Sequence, residues 1–308
     1  MKIAVIGSGG VGGFYGGRLA HAGADVTFVA RGKHLAAMRA QGLLIENEAQ
    51  GNIHLPKVNV TDDPAIIGPV DLVLVGVKLW DLESAAQAFK PIVGAATAVL
   101  SLQNGVIKDD ILRRIFGDGA VMGGVGYVAT HIARPGVIRQ VGTLQRIIFG
   151  EYDGTRSPRA QALLDLALKA GLQAELSTDI RRTLWEKYTF LVGLSGTTTT
   201  MRHSIGPIRA NPQTRAFLHD MMKEVVAVGR AHGVALPEHY ADERLAFADT
   251  VAAEMTSSMH HDLDSGNPLE VEWLSGGVVT LGTRVGVPTP VNRAVWDVLA
   301  LHAKGRRN

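Results

Sequence analysis

The chain has 308 residues, 46% of them hydrophobic and 19% charged, which suits a soluble globular protein with length for two cores. It contains no cysteine, which excludes disulfides, thiolate metal sites and every dehydrogenase that works through a cysteine nucleophile. The 31 basic and 29 acidic residues are spread along the chain, so nucleic-acid binding has no support; the basic tail Lys304, Arg306 and Arg307 reads as a solvated, frayed end.

The opening MKIAVIG reads as a buried strand and not as a signal sequence, because glycines follow at once. Further short β-branched runs follow, DVTFVA at 25–30, DLVLVGV at 71–77 and ATAVLSL at 96–102, alternating with helical stretches, the pattern of a parallel sheet covered by helices. The most apolar stretch, Ala65 to Val77, is broken by Pro69 and Asp71 and is shorter than the ~20 residues of a membrane helix. A cytoplasmic protein without a membrane span is therefore expected. VGYVAT, GVIRQVG and LQRIIFG, between 120 and 150, predict three later strands, some antiparallel.

Beyond Thr178 the strand signals stop. Asn211-Pro212 caps a helix running to Gly233, Pro237 opens a run that continues to Gly266, and Glu270–Thr283 and Thr289–Lys304 follow with helical periodicity. The expected fold is α/β plus all-α: an N-terminal Rossmann-type doubly wound sheet over residues 1–178 and a C-terminal all-helical domain over 179–308.

Directly after the first strand stands Gly7-Ser8-Gly9-Gly10-Val11-Gly12. Such a GxGxxG permits a tight turn, close approach of a pyrophosphate to the backbone, and a helix whose free N–H groups face the phosphates. The residue 19 positions past Gly12 chooses the cofactor. An NAD enzyme carries an acid there for the ribose hydroxyls; this chain carries Arg31 and Lys33, which suit the 2′-phosphate of NADPH, with His34 following them.

Lys78 and Asn104 close the third and fourth of these strand runs, at the carboxyl ends where doubly wound sheets bind ligands. Lys187 stands among Trp185, Tyr188, Phe190 and Leu191 on a predicted helix, where ordinary patterning would turn a charge only toward solvent. GSGGVGG with its arginine, VKLWD at 77–81, QNGV at 103–106, LWEK at 184–187, SSM at 257–259 and Glu270, taken in this order, resemble the ketopantoate reductase (2-dehydropantoate 2-reductase) family over essentially the whole chain. The resemblance implies a Rossmann domain, a helical domain and NADPH-dependent reduction of ketopantoate to D-pantoate. It assigns Lys78 and Asn104 to the nicotinamide ribose and the substrate edge, faces Glu270 toward the lysine and the substrate hydroxyl, and sets Ser258 against the substrate carboxylate. Hydride delivery to a keto carbon leaves an alkoxide, so Lys187 is the expected general acid.

The chain departs from the family pattern at Leu191, Ser195 and Met255, where the biosynthetic enzymes carry asparagines. The first two share a helix face with Lys187. An apolar wall cannot hydrogen-bond the hydroxyl of ketopantoate, which leaves open a more apolar 2-keto acid as substrate. A non-catalytic NADPH-binding regulator is the third reading, and a homodimer is left open. His260, His261 and Asp262 are adjacent on a predicted helix and would not share one ion, so no metal is expected. The threonine run 197–200 reads as a helix break or cleft wall.

Overall fold

The computed structural model describes residues 1–306, and within it the chain folds into two compact units: Met1–Gln103 with Lys108–Ile180, and Asn104–Ile107 with the chain from Arg181 onward.

The first unit is a ten-stranded sheet built from β1 (Lys2–Ile6), β2 (Asp25–Val29), β3 (Leu43–Glu46), β4 (Ile53–Leu55), β5 (Asn59–Thr61), β6 (Leu72–Val75), β7 (Ala98–Ser101), β8 (Val121–Arg134), β9 (Val137–Gly150) and β10 (Gln173–Leu176). Strands β5-β2-β1-β6-β7-β8 are parallel neighbours in that order, so the chain reverses its direction of travel across the sheet between β1 and β6. Ligands of doubly wound sheets bind at such a reversal. Every residue of β6 and β7 is buried, as the continuous apolar runs required. Five helices accompany the sheet: α1 (Gly10–His21), α2 (Gly32–Gln41), α3 (Leu82–Phe89), α4 (Ile107–Phe116) and α5 (Pro158–Lys169). Val5, Phe14, Tyr15, Phe28, Leu74, Leu100, Ile138 and Phe149 belong to the core of this unit.

GVIRQVG and LQRIIFG form one strand, β9, and not two, pairing antiparallel with β8 along a hairpin that turns at Pro135-Gly136. Proline fixes φ at the first turn position and Gly136, with φ of 79°, supplies the left-handed second one. The short strands β3, β4, β5 and β10 have no distinct run in the sequence, since three or four residues carry too little periodicity to show.

The second unit is helical: α6 (Ile180–Met201, the first residue still in the first unit), α7 (Ile205–Ala210), α8 (Pro212–Ala231), α9 (Tyr240–Thr250), α10 (Ser258–Ser265), α11 (Ser275–Val285) and α12 (Pro290–Leu299). Its core includes Tyr188, Val192, Met221, Met222, Val225, Val278 and Val295. The Asn211 side chain caps α8 by accepting from Gln213 N and Thr214 N, with Pro212 in the first turn. The run expected from Pro237 to Gly266 is broken into α9 and α10, because the intervening backbone serves α7 instead: Ala253 O accepts from Gly206 N and Met255 O from Ile205 N. The threonine run causes no break either. Thr197, Thr198 and Thr200 return their hydroxyls to carbonyls of the preceding turn and α6 continues to Met201. At the tail, Leu269 N donates to Ala303 O and Arg306 N to Gly266 O, so the chain is tethered as far as Arg306; Arg307 lies outside the described residues. Among the described residues no helix is long and apolar enough to cross a membrane.

Candidate active site

The glycine turn follows β1 at the reversal of strand order. Gly7 has φ of +88°, and a Cβ there would lie 2.6 Å from Val77 N; one at Gly12 would lie 2.2 Å from Gly7 O. Backbone meets backbone at both positions, so no side chain can be accommodated by rotation. Gly9, the N-cap of α1, has open space where its Cβ would stand, and no side chain caps the helix. The first N–H groups of α1 therefore open onto that space, a cradle of the kind that receives a pyrophosphate. Val11 is half-buried in the first turn. Gly10 packs elsewhere: its Cβ would meet Thr130 O of β8 at 2.6 Å.

Arg31 is the N-cap of α2, and both it and Lys33 are exposed. His34 differs from them. Its Nδ1 accepts from Gly136 N at 3.1 Å and its Nε2 lies 2.9 Å from Ser8 O, so the proton sits on Nε2 and is donated to the glycine turn. Burial lowers the imidazole's affinity for a second proton, against the smaller effect of the Ser8 carbonyl. His34 is thus a neutral brace and not a third cation, a role sequence spacing did not signal.

Lys78 lies three residues beyond the end of β6, as N-cap of the 3-10 turn Leu79–Asp81, with Nζ 5.5 Å from the Trp80 ring centroid. Gln103, the first residue of QNGV and given no role of its own in the sequence, is buried: its Nε2 donates to Val77 O at 2.7 Å and its Oε1 accepts from Ser101 Oγ at 2.9 Å.

In the second unit Lys187, half-buried on α6, donates to Asn104 Oδ1 at 3.1 Å. The lysine predicted on a helix and the asparagine predicted after a strand are brought into contact across 83 residues of sequence. Asn104 spends its carbonyl on the ammonium and retains the two N–H donors of its amide. Glu270 is 6% exposed. It stands in a 3-10 turn, Glu270–Glu272, and not in the α-helix expected from Glu270 to Thr283, which begins only at Ser275. Tyr188 accounts for the turn: its buried hydroxyl faces Trp273 O at 2.9 Å and Leu274 O at 2.6 Å, directing these carbonyls at α6. The neighbour of Lys187 thereby anchors the segment that carries Glu270. Its hydroxyl is kept protonated by burial.

Leu191 is half-buried on the same helix, and Ser195 is 1% exposed with no hydrogen-bond partner for its hydroxyl. Met255 is 37% exposed. Ser258 is exposed as the first residue of α10. Its neighbour Ser257 is the buried one; Ser257 Oγ caps α10 by accepting from His260 N at 3.1 Å and meets Thr198 Oγ1 of α6 at 3.0 Å. A serine before an apolar helix turn is a cap signal, and it was present in the sequence. His260 is engaged by Thr256 Oγ1 at Nδ1 and lies 3.5 Å from Asp264 at Nε2. Among the described residues no group of three histidine, aspartate or glutamate side chains is arranged to hold a metal.

A parallel sheet with a glycine cradle at its order reversal, continued in one chain by helices presenting an ammonium beside a carboxamide and a buried carboxylate, is the frame of a dinucleotide-dependent oxidoreductase. Comparison with known proteins gives the same class and narrows it. Residues 3–154 match the model of Ketopantoate reductase PanE/ApbA and residues 179–303 that of its C-terminal part. The 2-dehydropantoate 2-reductase of Mesorhizobium japonicum is 34% identical over 96% of this chain and 95% of its own. A crystal structure of a PanE/ApbA family ketopantoate reductase from Ralstonia eutropha superposes with a TM-score of 0.89 at 34% identity, covering 98% of each chain. The ternary structure of D-mandelate dehydrogenase with NADH and anilino(oxo)acetate shares the fold, with a TM-score of 0.88 over 98% of each chain at 20% identity. The chain belongs to the ketopantoate reductase family and is an oxidoreductase.

Proposed function

We propose that this oxidoreductase transfers hydride from NADPH to the keto carbon of a small 2-keto acid, with 2-dehydropantoate, which yields D-pantoate, as the leading substrate. The observation that carries the reading is the contact of Lys187 with Asn104 in a helical unit that also buries Glu270. In this reading residues 1–178 bind the cofactor and residues 179–308 carry the substrate chemistry. The N–H groups at Gly9–Gly12 hold the pyrophosphate, Arg31 and Lys33 the 2′-phosphate, and Lys78 and Asn104 the nicotinamide ribose and the substrate edge. NADPH, when bound, supplies the hydride. Lys187 polarises the keto oxygen and then gives a proton from Nζ to the alkoxide, charge that exists only as the reaction proceeds. Glu270 holds the lysine protonated and accepts from the substrate hydroxyl, and Ser258 receives the substrate carboxylate. A non-catalytic regulator would have use for the glycine cradle and none for Lys187 with Glu270.

Leu191 and Met255 favour a second reading of the substrate. Neither can hydrogen-bond a distal hydroxyl, so a more apolar 2-keto acid is the alternative on the same machinery; that the fold is shared with a D-mandelate dehydrogenase fits a scaffold on which substrate is set by side chains. The deciding experiment follows NADPH oxidation against a panel of 2-keto acids, with NADH in parallel. Reduction of at least one, with NADPH preferred and the preference abolished by Arg31→Asp, is expected; no turnover of any 2-keto acid, or equal specificity for the two cofactors, refutes the corresponding half.

A further inference from the structure

Behind the strand ends lies a charged cluster that the proposed chemistry does not use. Lys108 and Asp109, consecutive on α4, are both fully buried. Lys108 Nζ donates to Asp109 Oδ1 at 2.8 Å and to Ser101 O, the last carbonyl of β7, at 2.9 Å. The Tyr152 hydroxyl donates to Asp109 Oδ2 at 2.7 Å, and the Arg113 guanidinium lies over the Tyr152 ring, 4.7 Å from its centroid. Burial pushes the Asp109 carboxyl up, and Lys108 and Tyr152 draw it back. A buried ion pair is poor evidence of stability, since well-packed apolar residues of the same volume often serve as well or better. What an apolar pair cannot do is hold the Ser101 carbonyl.

The consequence runs on through Ser101. Its hydroxyl donates to Gln103 Oε1, and Gln103 Nε2 donates to Val77 O. One chain of hydrogen bonds therefore connects Tyr152, Asp109, Lys108, Ser101, Gln103 and Val77. Its two ends of interest are the residue before Lys78 and the residue before Asn104.

We propose that Tyr152, Asp109, Lys108 and Gln103 are positioning residues, which fix the backbone at the carboxyl ends of β6 and β7 and so set the places of Lys78 and Asn104. The proposal rests on the reading of Lys78 and Asn104 as the nicotinamide and substrate groups only for its effect on activity; its effect on the backbone is independent of it. Reacting groups displaced by about 1 Å lose on the order of 10²-fold in rate, which is reason enough to hold these two strand ends with buried charge.

The test uses the full chain with Lys108→Met and Asp109→Leu together, which removes both charges at near-constant volume, and separately Tyr152→Phe. Amide hydrogen exchange of the free protein is measured across 76–78 and 102–107, alongside titration with NADPH and with adenosine 2′,5′-bisphosphate. In the double variant exchange in those two segments should quicken by about tenfold or more against an unchanged remainder, and NADPH should bind about tenfold more weakly while the bisphosphate binds as before. Tyr152→Phe, which leaves both charges in place, should give the same pattern at a smaller size, and it carries the test if the double variant does not fold. Unchanged exchange in both segments overturns the proposal, as does a uniform rise across the whole sheet, which would mark a merely structural pair. Should the exchange change as expected in a protein that turns over no 2-keto acid, the positioning role stands and the functional reading is what fails.

Discussion

Between Gly9 and Gly12 the groups open to a ligand are backbone N–H groups of consecutive residues, held by a turn in which a Cβ on Gly7 or Gly12 would come within 2.6 or 2.2 Å of backbone. In the helical unit the groups of the proposed chemistry are side chains, Lys187 from α6 and Glu270 from a turn 83 residues on, held by Asn104, Tyr188 and burial. At Gly7 and Gly12 the turn is intolerant of a single added carbon, and what it offers is backbone. For the side chains of the proposed chemistry the reverse holds: what they can do depends on the identity of each. A family can therefore keep its cofactor motif and change its substrate.

The sharpest way to separate the two regions is Lys187→Ala. Turnover should fall by about 10² to 10⁴ while the dissociation constant for NADPH stays within about twofold, because the ammonium acts on charge developed during the reaction. Normal turnover with the best substrate would remove Lys187 from the mechanism.

Next in size is a pair of alanines in the turn. Gly12→Ala puts a carbon on Gly7 O and should cost about 1–3 kcal/mol of stability, read as a lowered midpoint in urea, together with cofactor binding. Gly9→Ala meets open space, so stability should hold while NADPH binds about tenfold more weakly. Equal stability losses at the two positions would mean that the cradle is a packing feature.

The substrate contrast is smaller. If Leu191 and Met255 line the substrate pocket as proposed, 2-keto acids with a branched apolar side chain and no distal hydroxyl should be reduced within about tenfold of 2-dehydropantoate, or ~1.4 kcal/mol. Asparagine at positions 191 and 195 should move the ratio toward 2-dehydropantoate. A preference for 2-dehydropantoate of about a thousandfold in the unaltered enzyme would show that other groups read the hydroxyl.

The smallest effect concerns His34. Its affinity for a proton is lowered in the folded chain by burial, so below the ordinary imidazole value of ~6.5 the unfolded chain binds the extra proton more readily. Its contribution to stability is complete above that value and is lost as pH falls through it. Thermal unfolding compared at about pH 7.5 and pH 5.5 should show this loss in the unaltered protein. The loss should shrink in His34→Gln, whose amide can still donate to Ser8 O and accept from Gly136 N. An identical pH dependence in the variant would assign the loss to other groups.

The sequence by itself determined the parallel sheet, because buried strands of β-branched residues are legible as continuous runs, and the glycine turn, because its geometry is local to six residues. It also determined that Lys187 is out of place on an apolar helix stretch. Tertiary structure decided the rest. The meeting of Lys187 with Asn104, the hold of Tyr188 on the Glu270 turn, the neutrality of His34 and the buried Lys108–Asp109 pair all join residues through packing, and two of them run against local patterning. Lys108 and Asp109 drew no reading from the sequence, and Glu270 reads there as the start of a helix. Only burial, with the hydrogen bonds it makes obligatory, gave them other roles.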